Sequence, residues 1–527
     1  MMSTRKQRII FSLNRLGNFF KLFLRNKRGI FGLALIGVFV FMAFGAALLT
    51  PYNQLGYLGQ LAQPVSGPEA APAWLRFVPK ALGGNPDLCE NLFPIRDPDF
   101  KVQNPLWPTG DWNLSITPTA DVSTVTVGKV EENGTDKMQV SFQRAGSNPK
   151  GNMTIFLYND FYFPYTGPPS IARSTWTLIV NSTVHEEQRQ VWNVLLSAYE
   201  KVTVNVTDVQ SKVALVIVEP NGKKDIISPQ AKGFIFNQTF FAEGLNIEQS
   251  FNDAVDSRGL FQQKGEYAFG LEIQLFDFYN TTGNVKYDLK VTDVNLQLMG
   301  TGWGILGTNN FGWDLWAELV YGARVSLYVG LLAAILSVSI GLVYGLASGY
   351  LGKYVDEVLM RITDVLLVLP GLPLLIVLFA VLGASIENLI ILNGLLGWMG
   401  FAKLVRSQVL SIRERPYIEA AKASGAGTGH ILVRHVLPNV MSLVYVTLAT
   451  SVPGAIVSEA ALSWLGFVDY WRMSWGRMLA EMQSAGAIGL WWWVVPPGMC
   501  IAAISIAFVL LGYALDEVLN PKLRMRK

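Results

Sequence analysis

Two stretches of this chain are apolar for too long to belong to a soluble core. Gly29–Thr50 and Val325–Gly352 each run without a single charged side chain. A helix crosses the hydrocarbon layer in about 20 residues, and only helices and closed barrels satisfy their own backbone there. Four further runs fit the same measure: Val365–Ser385, Ser385–Leu404, Val440–Gly466 and Trp491–Tyr513. The composition agrees. Charged residues make up 15% of the chain, against about 25% in average soluble proteins. The expected architecture is therefore an α-helical polytopic membrane protein with six transmembrane helices. A formal net charge of +3 is too small to argue for a nucleic-acid partner.

Several residues qualify these spans. Glycines within Val325–Gly352 allow close helix approach. Pro370 and Pro373 predict a kink in the third span. Asp364, just ahead of that span, suits a helix N-terminus, which favours a carboxylate. Lys403 and Arg406 in the fourth are expected to snorkel to the inner surface. Glu459 is the acid inside the fifth span, and two roles are open for it, lining a pore or pairing with a basic group between helices. Trp491, Trp492 and Trp493 form an aromatic belt at the start of the sixth.

Charge sets the orientation. Residues 1–28 hold eight Lys and Arg and no acid, interleaved with Ile, Leu and Phe, as in an amphipathic helix on an anionic inner leaflet. Gly29–Thr50 exceeds the roughly 7–15 residues of a signal-peptide core, so it reads as an uncleaved anchor. Six spans then leave both termini cytoplasmic. Lys353, Arg361 and the tail residues Lys522, Arg524, Arg526 and Lys527 fall on that same side, as the positive-inside rule asks.

Residues 51–300 differ in character. Short alternating runs at Ser123–Val130, Met138–Gln143, Met153–Tyr158, Thr175–Val180, Lys201–Val206, Val213–Val218, Gly233–Phe240, Tyr267–Leu275 and Tyr287–Leu298 are separated by turn clusters such as Pro220-Asn221-Gly222. They predict an all-β sandwich inserted between the first two spans and facing outward. Seven Asn-x-Ser/Thr sequons, at Asn113, Asn133, Asn152, Asn181, Asn205, Asn237 and Asn280, lie in this stretch and none elsewhere. Part of that bias is compositional, but it agrees with an exported, glycosylated domain, and a glycosylated outer domain points to an archaeal source. The domains are thus 1–50, 51–300 and 301–527, the last containing a polar loop at 409–439.

That loop is basic and interrupts two spans. Pro416 suits a first helical turn, where its missing N–H costs nothing. Tyr417, Glu419, Ala420, Ala421, Lys422 and Ala423 continue a short helix. Ser424 ends it, and Gly425, the first of three glycines in five residues, supplies the left-handed conformation that stops it. A second short helix, Ile431–His435, is expected to close at Pro438. A short helix with an alanine-lined face has the form of a docking element.

Glu419-Ala420-Ala421, then Gly425, then Leu437-Pro438 resembles the EAA loop of permease subunits in binding-protein-dependent ABC importers. Where that family often has an aliphatic residue two before Leu-Pro, this chain has His435. The resemblance extends over about 301–527 and the first helix, and is closest to the C-type subunit of dipeptide and oligopeptide importers. Tyr321-Gly322-Ala323-Arg324, Gly349-Tyr350-Leu351-Gly352, Asp356 through Arg361, Asp364 with Pro370-Gly371, Glu459 through Gly466, Ser474-Trp475-Gly476 and Asn520-Pro521 carry it. It implies the type I importer permease fold. It also implies a second, homologous permease, two cytoplasmic ATPase subunits that bind ATP and Mg, an extracellular substrate-binding protein, and short peptides as cargo. Oligosaccharides and nickel travel through relatives. Two departures stand out: Gly307-Thr308-Asn309-Asn310-Phe311-Gly312-Trp313-Asp314 replaces a Gly-Thr-Asp-x-x-Gly-Arg-Asp pattern, and the β insertion replaces a short loop.

No catalytic set emerges from the sequence. It has no Gly-x-x-x-x-Gly-Lys-Ser/Thr, so ATP hydrolysis is expected in partner subunits and no cofactor is expected on this chain. His185, His430 and His435 are too scattered for a metal site, and Cys89 and Cys500 imply no disulfide framework. The reading from another class is a membrane-anchored surface receptor, for which one anchor helix would suffice.

Overall fold

The computed structural model describes residues 23, 25–52, 64–97, 112–117, 125–132, 135–146, 151–193, 198–207, 209–227, 245–277, 284–467, 469 and 472–519. Most of the basic N-terminal segment, the tail from 520, the run Gly233–Phe240, and Asn133, Asn237 and Asn280 lie outside them. The chain forms two compact units: Pro64–Trp313, and Met1–Gln63 together with Asp314–Lys527.

The first unit is built from strands β1 (Leu92–Asp97), β2 (Asn113–Thr117), β3 (Val125–Glu132), β4 (Thr135–Arg144), β5 (Gly151–Phe163), β6 (Ile171–Ser182), β7 (Val184–Asn193), β8 (Ala198–Thr207), β9 (Gln210–Val218), β10 (Lys224–Ile226), β11 (Leu245–Asp256), β12 (Gly265–Asp277) and β13 (Val285–Met299). One antiparallel sheet runs β11–β6–β13–β4–β3, with β1 also on β13; a second runs β10–β9–β12–β5–β2; β7 and β8 form a hairpin. Alternate residues point to one face of a strand. Ile155, Leu157, Leu215, Phe269 and Ile273 from one sheet therefore share a core with Val140, Phe142, Trp176, Leu178 and Leu289 from the other. Polar ties cross that core: the Tyr287 hydroxyl bonds Ser211 Oγ, and Arg144 Nε lies 2.9 Å from Asp277 Oδ2 with both side chains buried.

The expected runs other than Gly233–Phe240 fall on β3, β4, β5, β6, β8, β9, β12 and β13. The strands not anticipated are β1, β2, β7, β10 and β11, and three of them have a physical reason to be silent. Among the described residues β11 bonds only β6, so it is an edge there and needs little apolar alternation. β7 belongs to a two-stranded hairpin and reads VHEEQRQVWN. β1 contains Pro94, and its register slips between Leu92 and Ile95, as proline in a strand requires.

The second unit is helical: α1 (Lys27–Phe44), α2 (Leu315–Leu351), α3 (Lys353–Val368), α4 (Gly371–Leu382), α5 (Ile386–Gly397), α6 (Met399–Arg413), α7 (Pro416–Ala423), α8 (Thr428–Trp464), α9 (Trp475–Ser484) and α10 (Trp491–Leu519). Four of them, α1, α2, α8 and α10, are long and apolar enough to cross a membrane singly. The count reaches six only if α3 with α4, bent by 88°, and α5 with α6, bent by 41°, each make one crossing. The kink expected at Pro370 is thus a break. Leu369 is extended, at φ −65° and ψ 134°, as the residue before a proline prefers, and Pro370 cannot continue the ladder.

Glycines set the packing of α2 on α6. A Cβ on Gly345 would stand 2.5 Å from Val405 Cβ, and one on Gly349 would stand 2.8 Å from Val409 Cβ. Their i, i+4 spacing puts both on one face, so α6 approaches backbone to backbone. That approach holds α6 in place as the base from which α7 projects.

Candidate functional site

The polar loop folds around one buried side chain. Ile418 on α7 has no exposed surface and packs with Val409 and Ile412 of α6 and with Ile431, Val436 and Val440 of α8. Pro416 occupies the first turn. At the other end Gly425 takes φ +77°. The Gly425 N–H reaches the Lys422 carbonyl at 3.0 Å and the Ala426 N–H reaches the Ala421 carbonyl at 3.1 Å, the paired bonds of a Schellman cap. Ala421 and Ala426 pack together against the Ile418 cluster, the apolar contact that accompanies such a cap.

With Ile418 turned inward, the opposite face of α7 is open. Glu419, Ala420, Ala423 and Ser424 are all exposed, and Ala421 is half-buried. Residues one turn apart stack on a helix face, so these four form a narrow surface of small side chains edged by one carboxylate. Ser424 Oγ is spent on the Ala420 carbonyl, 2.9 Å away. Lys422 leans back toward the Tyr350 ring, its Nζ 5.5 Å from the centroid. Tyr417 is tied to α8: Asn439 Nδ2 bonds the His435 carbonyl at 2.7 Å and the Tyr417 hydroxyl at 3.4 Å. The sequence-selected residues Pro416, Tyr417, Glu419, Ala420, Ala421, Ser424 and Gly425 therefore converge on one short helix.

Pro438 does not close a second short helix as expected. α8 runs on through it, with one wider π turn at Leu432–Val436 directly ahead. That turn accommodates a residue with no N–H to return to the preceding turn. A single helix, α8, thus runs from the turn that follows α7 into the membrane-spanning segment.

Two ion pairs lock α3 along α6. Asp356 receives Arg406 Nε and Nη2 at 2.5 and 2.6 Å, and the Ser348 hydroxyl at the end of α2 also bonds it. Asp364 lies 2.5 Å from Lys403. Asp364 is therefore not at a helix N-terminus: α3 begins at Lys353, placing Asp364 near its C-terminal end, where Lys403 offsets an unfavourable helix dipole. Nor do Lys403 and Arg406 simply snorkel, because each has a carboxylate partner. Pro370 is the N-cap residue of α4.

Glu459 pairs with no basic side chain among the described residues. It is buried, and its Oε1 accepts from Ser474 Oγ at 2.5 Å and from Ser463 Oγ at 3.1 Å. Ser474 also caps α9 by accepting from the Arg477 N–H, and Trp475 Nε1 donates to the Leu319 carbonyl at 2.9 Å. Hydroxyls rather than an ion pair thus tie α8 to the start of α9. Of the sequons, Asn113, Asn152 and Asn181 are exposed at or beside the ends of β2, β5 and β6, and Asn205 lies near the end of β8.

Apolar helices that cross a membrane, tied by buried polar contacts and carrying an exposed capped helix, define a polytopic helical membrane component. Comparison with known proteins specifies it. Residues 341–525 match the family described as binding-protein-dependent transport system inner membrane component, and residues 14–64 match the N-terminal transmembrane domain of oligopeptide transport permease C. The dipeptide transport system permease protein of Bacillus subtilis is 37% identical over 235 residues, covering 44% of this chain and 73% of that one. The oligopeptide transport system permease protein of the same organism is 37% identical over 219 residues, covering 41% and 72%. That of Haemophilus influenzae is 35% identical over 223 residues, covering 42% and 71%. The chain belongs to the family of binding-protein-dependent transport system inner membrane components. Residues 65–340, including the whole β-sandwich, lie between the two matched segments. These relatives are bacterial, so they lend nothing to an archaeal source.

Proposed function

We propose that this chain is the pore-forming permease subunit of an ATP-driven importer that moves short peptides into the cell. The relatives named above are dipeptide and oligopeptide permeases, and the helical unit carries the matched segments. The observation that carries the coupling role is α7. Its buried Ile418 and double-bonded cap hold it as a rigid tooth, while Glu419, Ala420, Ala423 and Ser424 present a small face to a partner. A cytoplasmic ATPase subunit is that partner, with ATP and Mg bound there. Closure of two such subunits pushes on α7, and the push passes into α8 and, through Ile412 and Val409, into α6. A homologous permease completes the pore, and a substrate-binding protein delivers cargo from outside. Both termini and α7 face the cytoplasm, and the β-sandwich faces outward as a glycosylated domain modified at its sequons.

The test is Glu419→Lys in the complete importer, reconstituted in liposomes. Reversing the one acid on the docking face weakens complementarity with the ATPase. Assembly of the helical unit stays normal while peptide uptake and uptake-linked ATP hydrolysis fall together. Uptake equal to that of the parent would remove α7 from the coupling path.

A further inference from the structure

The π turn ahead of Pro438 does more than admit the proline. His430 lies in the first turn of α8, and His435 lies within the π turn at Leu432–Val436. In an unbroken α-helix, side chains five residues apart point about 140° away from each other. A π turn closes over five residues, so it carries His435 back under His430. The two imidazole centroids stand 6.0 Å apart with the ring planes at 62°. His430 is exposed and His435 is half-buried. Among the described residues neither ring nitrogen has a hydrogen-bond partner. The Tyr417 ring flanks His435, centroid to centroid 6.4 Å, and Asn439 Nδ2 holds the His435 carbonyl.

Two neutral imidazoles on one side of a helix make a pair of metal ligands. With each nitrogen about 2.0–2.1 Å from a shared ion, the centroids stand roughly 5 Å apart in a tetrahedral shell and roughly 6.5 Å apart in a linear one. The observed separation lies between. No third His, Cys, Asp or Glu joins them among the described residues, so water fills the remaining positions and the ion exchanges readily. Imidazole selects zinc, nickel or copper over magnesium or calcium, which ask for oxygen ligands. Arg434 beside them is exposed, so its charge opposes the ion only through water. We propose that His430 and His435 together hold one divalent ion of the zinc, nickel or copper class, and that this ion clamps the turn at the start of α8. It joins a residue ahead of the π turn to a residue inside it. Only Ser424 to Gly427 separate α7 from α8, so a clamped turn resists a push arriving from α7. That consequence for transport rests on the import reading above, whereas the binding does not.

Zinc alone is the probe, added to the complete importer in mild detergent after every metal but magnesium has been removed. By equilibrium dialysis the parent is expected to hold one more zinc per copy of this chain than His430→Asn, and one more than His435→Asn. The double variant should lose no more than either single one, because a shared ion is lost once. Unchanged binding in either single variant, or losses that add in the double variant, would overturn the site. In liposomes, zinc at a concentration that fills the site is expected to slow uptake of a radiolabelled tripeptide severalfold in the parent. The double variant should keep the parent's metal-free rate with zinc present. Equal sensitivity of parent and double variant would overturn the clamp. A parent complex that imports no peptide overturns the import reading, while the dialysis still decides the site.

Discussion

Gly425 isolates one physical term at the end of α7, the helix proposed to meet the ATPase. Its φ of +77° lies in the left-handed region, and a Cβ built there meets no atom within 4 Å. A side chain at this position is therefore opposed by backbone conformation alone and not by crowding. For an L-residue the left-handed conformation costs roughly 1–2 kcal/mol, most for a β-branched residue and least for Asn, which is enriched there. A penalty of that size changes a two-state population by a factor of about 5–30. The population at stake is that of the cap, in which the Gly425 and Ala426 N–H groups return to Lys422 and Ala421. Losing the cap frees α7 to tilt while Ile418 stays buried. Peptide uptake and uptake-linked ATP hydrolysis of the reconstituted complex should therefore rank Gly, then Asn, then Ala, then Val at position 425, with Gly425→Val down about 5- to 30-fold and its yield unchanged. A series in which Val matches Gly, or in which Asn is the worst, would show that the left-handed conformation at 425 does not govern uptake, because only the φ preference orders the residues this way.

Other outcomes follow from the same structure. Asp277→Ala leaves the Arg144 guanidinium buried without its carboxylate, so the β-sandwich should lose about 3–5 kcal/mol, read as faster proteolysis of that unit in the full chain. Equal resistance would show that the pair is not a stabilising contact. Thr126→Cys on β3 should react with a membrane-impermeant thiol reagent on intact cells, and Ser411→Cys on α6 should not, with the parent's cysteines as background. Reversed labelling would invert the orientation. Mass spectrometry of the native protein should find glycans on Asn113, Asn152 and Asn181, the exposed sequons at strand ends, and bare asparagines at all three would end the reading of a glycosylated outer domain.

The parts of this protein legible in the sequence are those with local signals. α7 was readable because Pro416 starts it and Gly425 stops it within a handful of residues, and β12 because its alternation follows the face it buries. The burial of Ile418 was not readable, since a helix of eight residues is too short for periodicity to say which side faces inward. Long-range pairings escaped for a related reason. Asp356 meets Arg406 across 50 residues of chain, and Glu459 meets Ser474 across a change of helix. A charge pattern shows that such residues need partners without naming them. Pro370 announced a departure from straight helix, but proline alone does not distinguish a gentle kink from the 88° break observed; the extended Leu369 makes that difference.

If α7 is the proposed contact through which ATP hydrolysis drives the membrane helices, its exposed face meets the ATPase subunit. Ala423→Cys sits on the exposed small face of α7 and disturbs neither the Ile418 cluster nor the cap. In the complex purified in mild detergent, a short bifunctional thiol cross-linker should join this cysteine to the ATPase subunit, with a yield that changes when ATP replaces ADP. A cross-link absent in both nucleotide states, from a complex that still imports peptide, would show that α7 does not meet the ATPase.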